Sequence, residues 1–300
     1  MSKVERLLKS INDIIKAEED DEDITDVVPE FPGLDKVPKY IDDYEKKLAK
    51  LLRNQRKYFL NGAKEYVQKE ITVKGLLDYF SKNLFGSDPF FEDMEKLTKD
   101  FLTLTITELT AEIMAAIDKD IAFDVLSQKT IDWIDTWSKD LADLMKLNAH
   151  EALEAELKAV IEAGGSIQDA ELAIKDLPEF DRKRARTTAL TEILTASSRS
   201  QWEAYKQSPA VTKKMWKHSG GRKIKPRKAH QDMDRSEVGV DDKFDVNGHE
   251  ADFPRDPSLP ASERVNCHCA MGPVVDEDIL GLSKEEKEKL REEALKEMNA

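Results

Sequence analysis

From residue 40 to residue 208 the apolar side chains recur every three or four positions, as in Leu102, Ile106, Leu109, Ile113 and Ile117. That spacing places them on one face of a helix, and over such a length it leaves the chain little choice but a bundle of amphipathic helices. Residues 101–107 also alternate in a strand-like way with several β-branched side chains, but the three-and-four spacing continues past them and predicts helix. Within Ala163-Gly164-Gly165-Ser166 the glycines end one helix, and Ser166, with Asp169 in the first turn, starts the next, which runs to about Pro178. A long helix is expected over residues 179–207. Its stripe of Ala185, Ala189, Ile193, Ala196, Ser200 and Ala204 permits close approach of a neighbour, and its other faces are mostly charged or aromatic.

After Pro209 the texture changes. Residues 209–275 hold six of the eleven prolines, four of the five histidines and both cysteines. The expected fold is therefore mainly α: a helical bundle followed by a small, loop-rich α+β module with few long apolar runs, for which a metal ion is a candidate staple. On either side lie two further segments. Residues 1–39 read as an amphipathic arm (Val4, Leu7, Leu8, Ile11, Ile14, Ile15) followed by an acidic run and a linker carrying Pro29, Pro32 and Pro38. Residues 276–300 read as a charged C-terminal helix that opens with a capping box at Ser283, either a solvated tail or a docking helix. The segments are thus 1–39, 40–208, 209–275 and 276–300.

The net charge of −14 excludes a surface that coats nucleic acid or anionic membrane as a whole, though not a local basic patch. No run approaches the ~20 apolar residues that span a bilayer, and residues 1–20 interleave charge with apolar side chains, so neither a transmembrane segment nor an export signal is expected. Two cysteines one residue apart make no disulfide framework and direct attention to a metal.

In an extended Cys267-His268-Cys269 the two thiols project to one side and His268 to the other, so the cysteines can share an ion that His268 cannot easily join. His230 and His249 are the candidate third ligands, and Asp232, Asp234 or Asp242 a fourth. The plain alternative is two small buried side chains in a short strand. The second constellation is the basic stretch 213–228, in which nine of sixteen residues are Lys, Arg or His and none is acidic. Arg222, Lys223, Lys225, Arg227 and Lys228 would attract phosphate and Trp216 would stack on a base. The same charges would equally neutralise the acidic arm or an acidic partner. No nucleophile elbow, HExxH, dinucleotide fingerprint or P-loop is present, and no enzyme is expected.

The order of landmarks in the second half resembles the phage minor head proteins of the head-morphogenesis, Mu F-like family. They run from the turn Ile161-Glu162-Ala163-Gly164-Gly165-Ser166-Ile167 to the helix segment Arg184-Ala185-Arg186-Thr187-Thr188-Ala189-Leu190-Thr191-Glu192. Glu203-Ala204-Tyr205, Trp216, Pro226-Arg227-Lys228-Ala229-His230 and Asp241-Asp242-Lys243-Phe244 follow, and Val265-Asn266-Cys267-His268-Cys269 precedes Gly272-Pro273-Val274. The resemblance covers about residues 155–275. It departs at Leu190 and His268, where the family commonly has arginine, and at Arg235, where a glycine often follows the aspartate, while His230, Cys267 and Cys269 are kept. It implies a minor capsid protein inside the virion, assembled in the bacterial host cytoplasm and associated with the portal, acting in procapsid assembly, genome packaging or delivery. The implied partners are the portal protein, scaffold or major capsid protein, and packaged double-stranded DNA; the candidate structural zinc at His230, Cys267 and Cys269 rests on the chemistry of those residues themselves. The rival from another class is a metal-dependent hydrolase or nuclease using the same three residues.

Overall fold

The structure is a computed structural model that describes residues 23–67, 72–219 and 226–300. The amphipathic stretch read in residues 3–17 lies outside the described residues, as do Arg222, Lys223 and Lys225. In chain order the helices are α1 (Ile24–Val27), α2 (Val37–Val67), α3 (Val73–Tyr79), α4 (Phe90–Ile117), α5 (Gln128–Glu162), α6 (Ile167–Asp176) and α7 (Arg182–Gln207). Then come β1 (Val211–Lys217), α8 (Lys228–Asp232), β2 (Glu237–Gly239), β3 (Phe244–Val246), β4 (His249–Ala251), α9 (Ala261–Arg264), β5 (Ala270–Val275), α10 (Glu277–Leu280) and α11 (Lys284–Met298). The fold is mainly α with a small α+β part, as the periodicity requires. Residues 101–107 are helical within α4.

The chain forms two compact units, one made of residues 43–99 and 136–189 and the other of residues up to 42, 100–135 and 190–300. The first has an apolar core built from helix periodicity. Phe59 and Ala63 of α2, Leu76 of α3, Ala149, Leu153 and Leu157 of α5, and Ile167, Ala170 and Ile174 of α6 close on one another together with Phe80 and Phe180. Turn chemistry sets where these helices stop. Gly164 takes φ +67°, and the amides of Gly164 and Gly165 return to the carbonyls of Ile161 and Val160, satisfying acceptors that the end of α5 leaves open. Ser166 and Asp169 then form a full capping box on α6.

The second unit contains the region after residue 209. Its three-stranded antiparallel sheet has the order β2-β1-β5, with Lys214 opposite Val238 on one side and Pro273 on the other. The β3-β4 hairpin turns through Asn247 and Gly248, both at positive φ, which matches the twist that tight two-residue turns need. Every residue of α7 from Ala189 to Tyr205 is buried, including Thr191, Glu192, Arg199, Gln201 and Glu203, whereas the sequence suggested polar outer faces. Most of these groups are tolerated because they have partners among the described residues, Thr191 Oγ1 and Gln201 Nε2 being the exceptions. Glu203 accepts from the Ser127 amide and hydroxyl and from Thr130, Arg199 donates to Thr130, and Ser197 and Ser200 bond back to carbonyls four residues earlier.

One further expectation is corrected, and one that left two alternatives open is decided. The proline-containing stretch before residue 38 is not an extended linker: Ile24, Val27, Val28, Phe31, Leu34 and Val37 are all buried, and short helical turns carry them. Proline fixes φ without forbidding packing, so it punctuates this segment while its apolar side chains still leave water. The C-terminal helix α11 is docked rather than solvated. Lys287 is buried against Asp118 (2.9 Å) and Asp120 (2.6 Å), and Arg291 against Asp124 and Gln207. Among the described residues no helix is long and apolar enough to cross a membrane.

A His-Cys-Cys cluster as candidate metal centre

His230 rides on the one-turn helix α8, and Cys267 and Cys269 flank His268 in the turn between α9 and β5. The turn is held by short-range and long-range bonds. Asn266 adopts φ +55°, the Cys267 amide returns to the Arg264 carbonyl, and the Arg255 guanidinium donates to the carbonyls of Cys267 (2.8 Å) and Cys269 (2.6 Å). The other arm of Arg255 donates to the Leu194 carbonyl and the Ser198 hydroxyl of α7. Five donors in a rigid fork are well suited to gathering carbonyls from separate segments, so Arg255 fixes the backbone that carries both thiols.

The three side chains converge. His230 Nδ1 lies 3.5 Å from Cys267 Sγ and 3.7 Å from Cys269 Sγ, and all three residues are buried. A tetrahedral zinc ion with Zn–S near 2.3 Å and Zn–N near 2.0–2.1 Å has N···S edges of roughly 3.6 Å. The two observed N···S separations are those of such a site, the three ligand atoms all lie within 4.8 Å of one another, and one imidazole with two thiolates is a donor set that zinc favours. A hydrogen bond from Cys269 holds the Cys267 thiol well below its ordinary value, helped by His230 and Arg255, and the same bond pushes Cys269 up. The pair therefore shares a proton that a bound cation would displace.

His268 does not join them. Burial lowers its pKa to about 4, so its imidazole is neutral near pH 7. His249 is exposed on β4, and none of Asp232, Asp234 and Asp242 belongs to the cluster; Asp234 instead accepts the His218 amide.

Trp216, expected to stack on a base, is fully buried. Its ring stands edge-on to His230 (5.6 Å) and to Phe244 (5.3 Å), so it forms a wall of the candidate centre and has no face to offer a ligand in solvent. The cause is strand geometry: the basic stretch begins as β1, whose period of two turns Lys214 and Trp216 inward while Lys213 stays exposed. Lys214 donates to the Asp252 carbonyl at 2.8 Å with its ammonium over the Phe244 ring. Arg227 donates to the Val265 carbonyl (2.7 Å), and Lys228 is exposed. Arg255 and Glu263 were missed at the sequence level, because their roles depend on contacts with segments distant in the chain.

Residues 151–272, which include the whole cluster, match the family described as phage Mu protein F like protein. The chain is 53% identical over 99% of its length to the whole of the uncharacterized protein YqbB of Bacillus subtilis (strain 168). A second similarity, 35% identity over 36% of this chain, is to 22% of the NAD(+)–arginine ADP-ribosyltransferase EFV of Enterococcus faecalis (strain ATCC 700802 / V583). No solved structure matches.

Proposed function

Because the chain belongs to the phage Mu protein F-like family and is a phage head-morphogenesis protein, we propose that it is a minor capsid protein carried inside the head and associated with the portal. In this reading it acts in procapsid assembly and in genome packaging or delivery, by binding rather than by catalysis. The family match over residues 151–272 carries the reading. The similarity to EFV involves 22% of that protein, so its named activity is not brought to this chain. The exposed Lys228, with Arg222, Lys223 and Lys225, would face packaged double-stranded DNA, while the acidic remainder keeps the protein from being immobilised on it.

Zinc at His230, Cys267 and Cys269 completes the proposal. The ion would tie α8 to the turn before β5, two segments otherwise joined by little regular structure, so its binding free energy would count directly toward folding. Quantitative mass spectrometry of purified heads should find the chain at low copy number, co-purifying with the portal protein when heads are disrupted. Heads that lack it would overturn the placement. Elemental analysis of the purified chain should find one zinc per molecule, lost in Cys267→Ser/Cys269→Ser; wild-type protein without metal would overturn the zinc reading alone.

A further inference from the structure

A histidine ligand has two nitrogens, and what holds the second one decides which nitrogen meets the ion. Here Nδ1 faces the sulfurs, while Nε2 lies 3.0 Å from Glu263 Oε2. Glu263 lies on α9, is 9% exposed, and comes from a residue 33 positions away in sequence. It is itself held: Asn247 Nδ2 donates to its Oε1 at 3.3 Å, and the Arg227 guanidinium stands 4.0 Å from its Oε2. Asn247 reaches that position because the β3-β4 hairpin turns through it at φ +55°. A buried carboxylate kept in place by an amide and a guanidinium, with one oxygen on the imidazole, has the geometry of an outer carboxylate that orients a metal-bound histidine.

We infer that Glu263 is a positioning residue that makes His230 an Nδ1 ligand and raises the affinity of the Cys-Cys-His centre for a divalent ion of zinc type. The inference rests on the zinc reading above. Glu263 accepts the Nε2 proton, which leaves the Nδ1 lone pair free for the ion, locks the ring plane, and makes the ligand nitrogen more basic. Its carboxylate is thereby engaged on the outer side of the imidazole. Among the described residues no further His, Cys, Asp or Glu joins the cluster, so these residues supply three ligands of those types there.

The test uses the full chain, with zinc affinity measured by competition against a chromophoric chelator and the ring assigned by long-range proton–nitrogen NMR of zinc-loaded protein. Wild type should show His230 with a metal-bound Nδ1 and a protonated Nε2. Glu263→Gln should bind zinc ~10–100-fold more weakly, while the metal-free variant melts as the metal-free wild type does. Glu263→Asp keeps the charge but shortens the reach, and should fall between them; it also serves if the glutamine variant fails to fold. Zinc bound through Nε2, or undiminished affinity in both variants, would overturn the role of Glu263 and leave the zinc reading standing. Wild-type protein that takes up no zinc would overturn both.

Discussion

The two units weight the burial problem differently: both bury apolar side chains, and the first also buries the hydrogen bonds of Asp88 with Gln55 and His150, but buried polar groups are more numerous around α7. Around Phe59, the unit of residues 43–99 and 136–189 closes an apolar core in which ring meets ring: Phe80 at 5.6 Å, Phe85 at 5.8 Å and Phe180 at 6.4 Å. Around α7, the other unit buries Arg199, Gln201, Glu203 and Arg255 and engages them with carbonyls, hydroxyls and amides, while Gln201 Nε2 and Arg255 Nε stay without a hydrogen-bond partner among the described residues. An apolar core is non-directional and tolerates exchange of similar volumes. A buried polar network is directional, and removing one member strands the others. The unit with the polar interior is also the one that holds the His-Cys-Cys cluster, and Arg255 belongs to both.

The most direct way to break this contrast is to make matched changes in each unit. Arg255→Met keeps a long side chain but leaves the carbonyls of Cys267 and Cys269 and the Ser198 hydroxyl without their donor. We expect a loss of ~4 kcal/mol, read from urea unfolding of chelator-treated protein, together with faster labelling of both cysteines by a thiol reagent. Phe59→Leu in the apolar core should cost only ~1–2 kcal/mol. If the arginine variant lost less than the phenylalanine variant, the polar interior would not be the more brittle of the two.

The same contrast explains what could be read from the sequence. Helices α2, α4, α5 and α6, the stop at Gly164 and the caps at Ser166 and Ser283 are all written in short-range spacing, and each is found. His230, Cys267 and Cys269 could be singled out because few residue types hold a soft ion, although nothing local says that α8 meets the turn before β5. The burial of α7 could not be read, since its partners at Ser127, Thr130 and Arg255 are remote and its own composition looks like a solvated face. Trp216 was misread for a related reason: a dense run of positive charge hides the period-two alternation of a strand. Asn247-Gly248 carried a legible hairpin signal that composition alone passes over.

Lys214 sharpens the comparison through pH. Burial lowers its pKa from 10.5 to about 8, and its ammonium has the Asp252 carbonyl and the Phe244 ring as neighbours. Between these two values the unfolded chain binds more protons than the folded one, so this group makes stability rise as pH rises from about 8 toward 10.5. The full swing is at most ~3 kcal/mol. Wild type compared with Lys214→Met across that range should show the rise in wild type and not in the variant. Parallel curves would mean that the ammonium is as well accommodated folded as unfolded, and that β1 buries no electrostatic cost.

The smallest effect belongs to the most legible feature. Ser166 Oγ accepts from the Asp169 amide at 3.2 Å, while Asp169 Oδ2 accepts from the Ser166 amide at 2.7 Å, so two backbone donors are satisfied at the start of α6. Ser166→Ala should cost ~1 kcal/mol and Ser166→Gly only a few tenths, measured by the same urea unfolding, because water can reach this exposed turn and partly replace the cap. A loss as large as that of Arg255→Met would show that the start of α6 is coupled to the apolar core of its unit and is more than a local cap. The expected order, with the remote contact of Arg255 costing several times the local cap of Ser166, would mean that the interactions easiest to read in this chain are those on which its stability depends least.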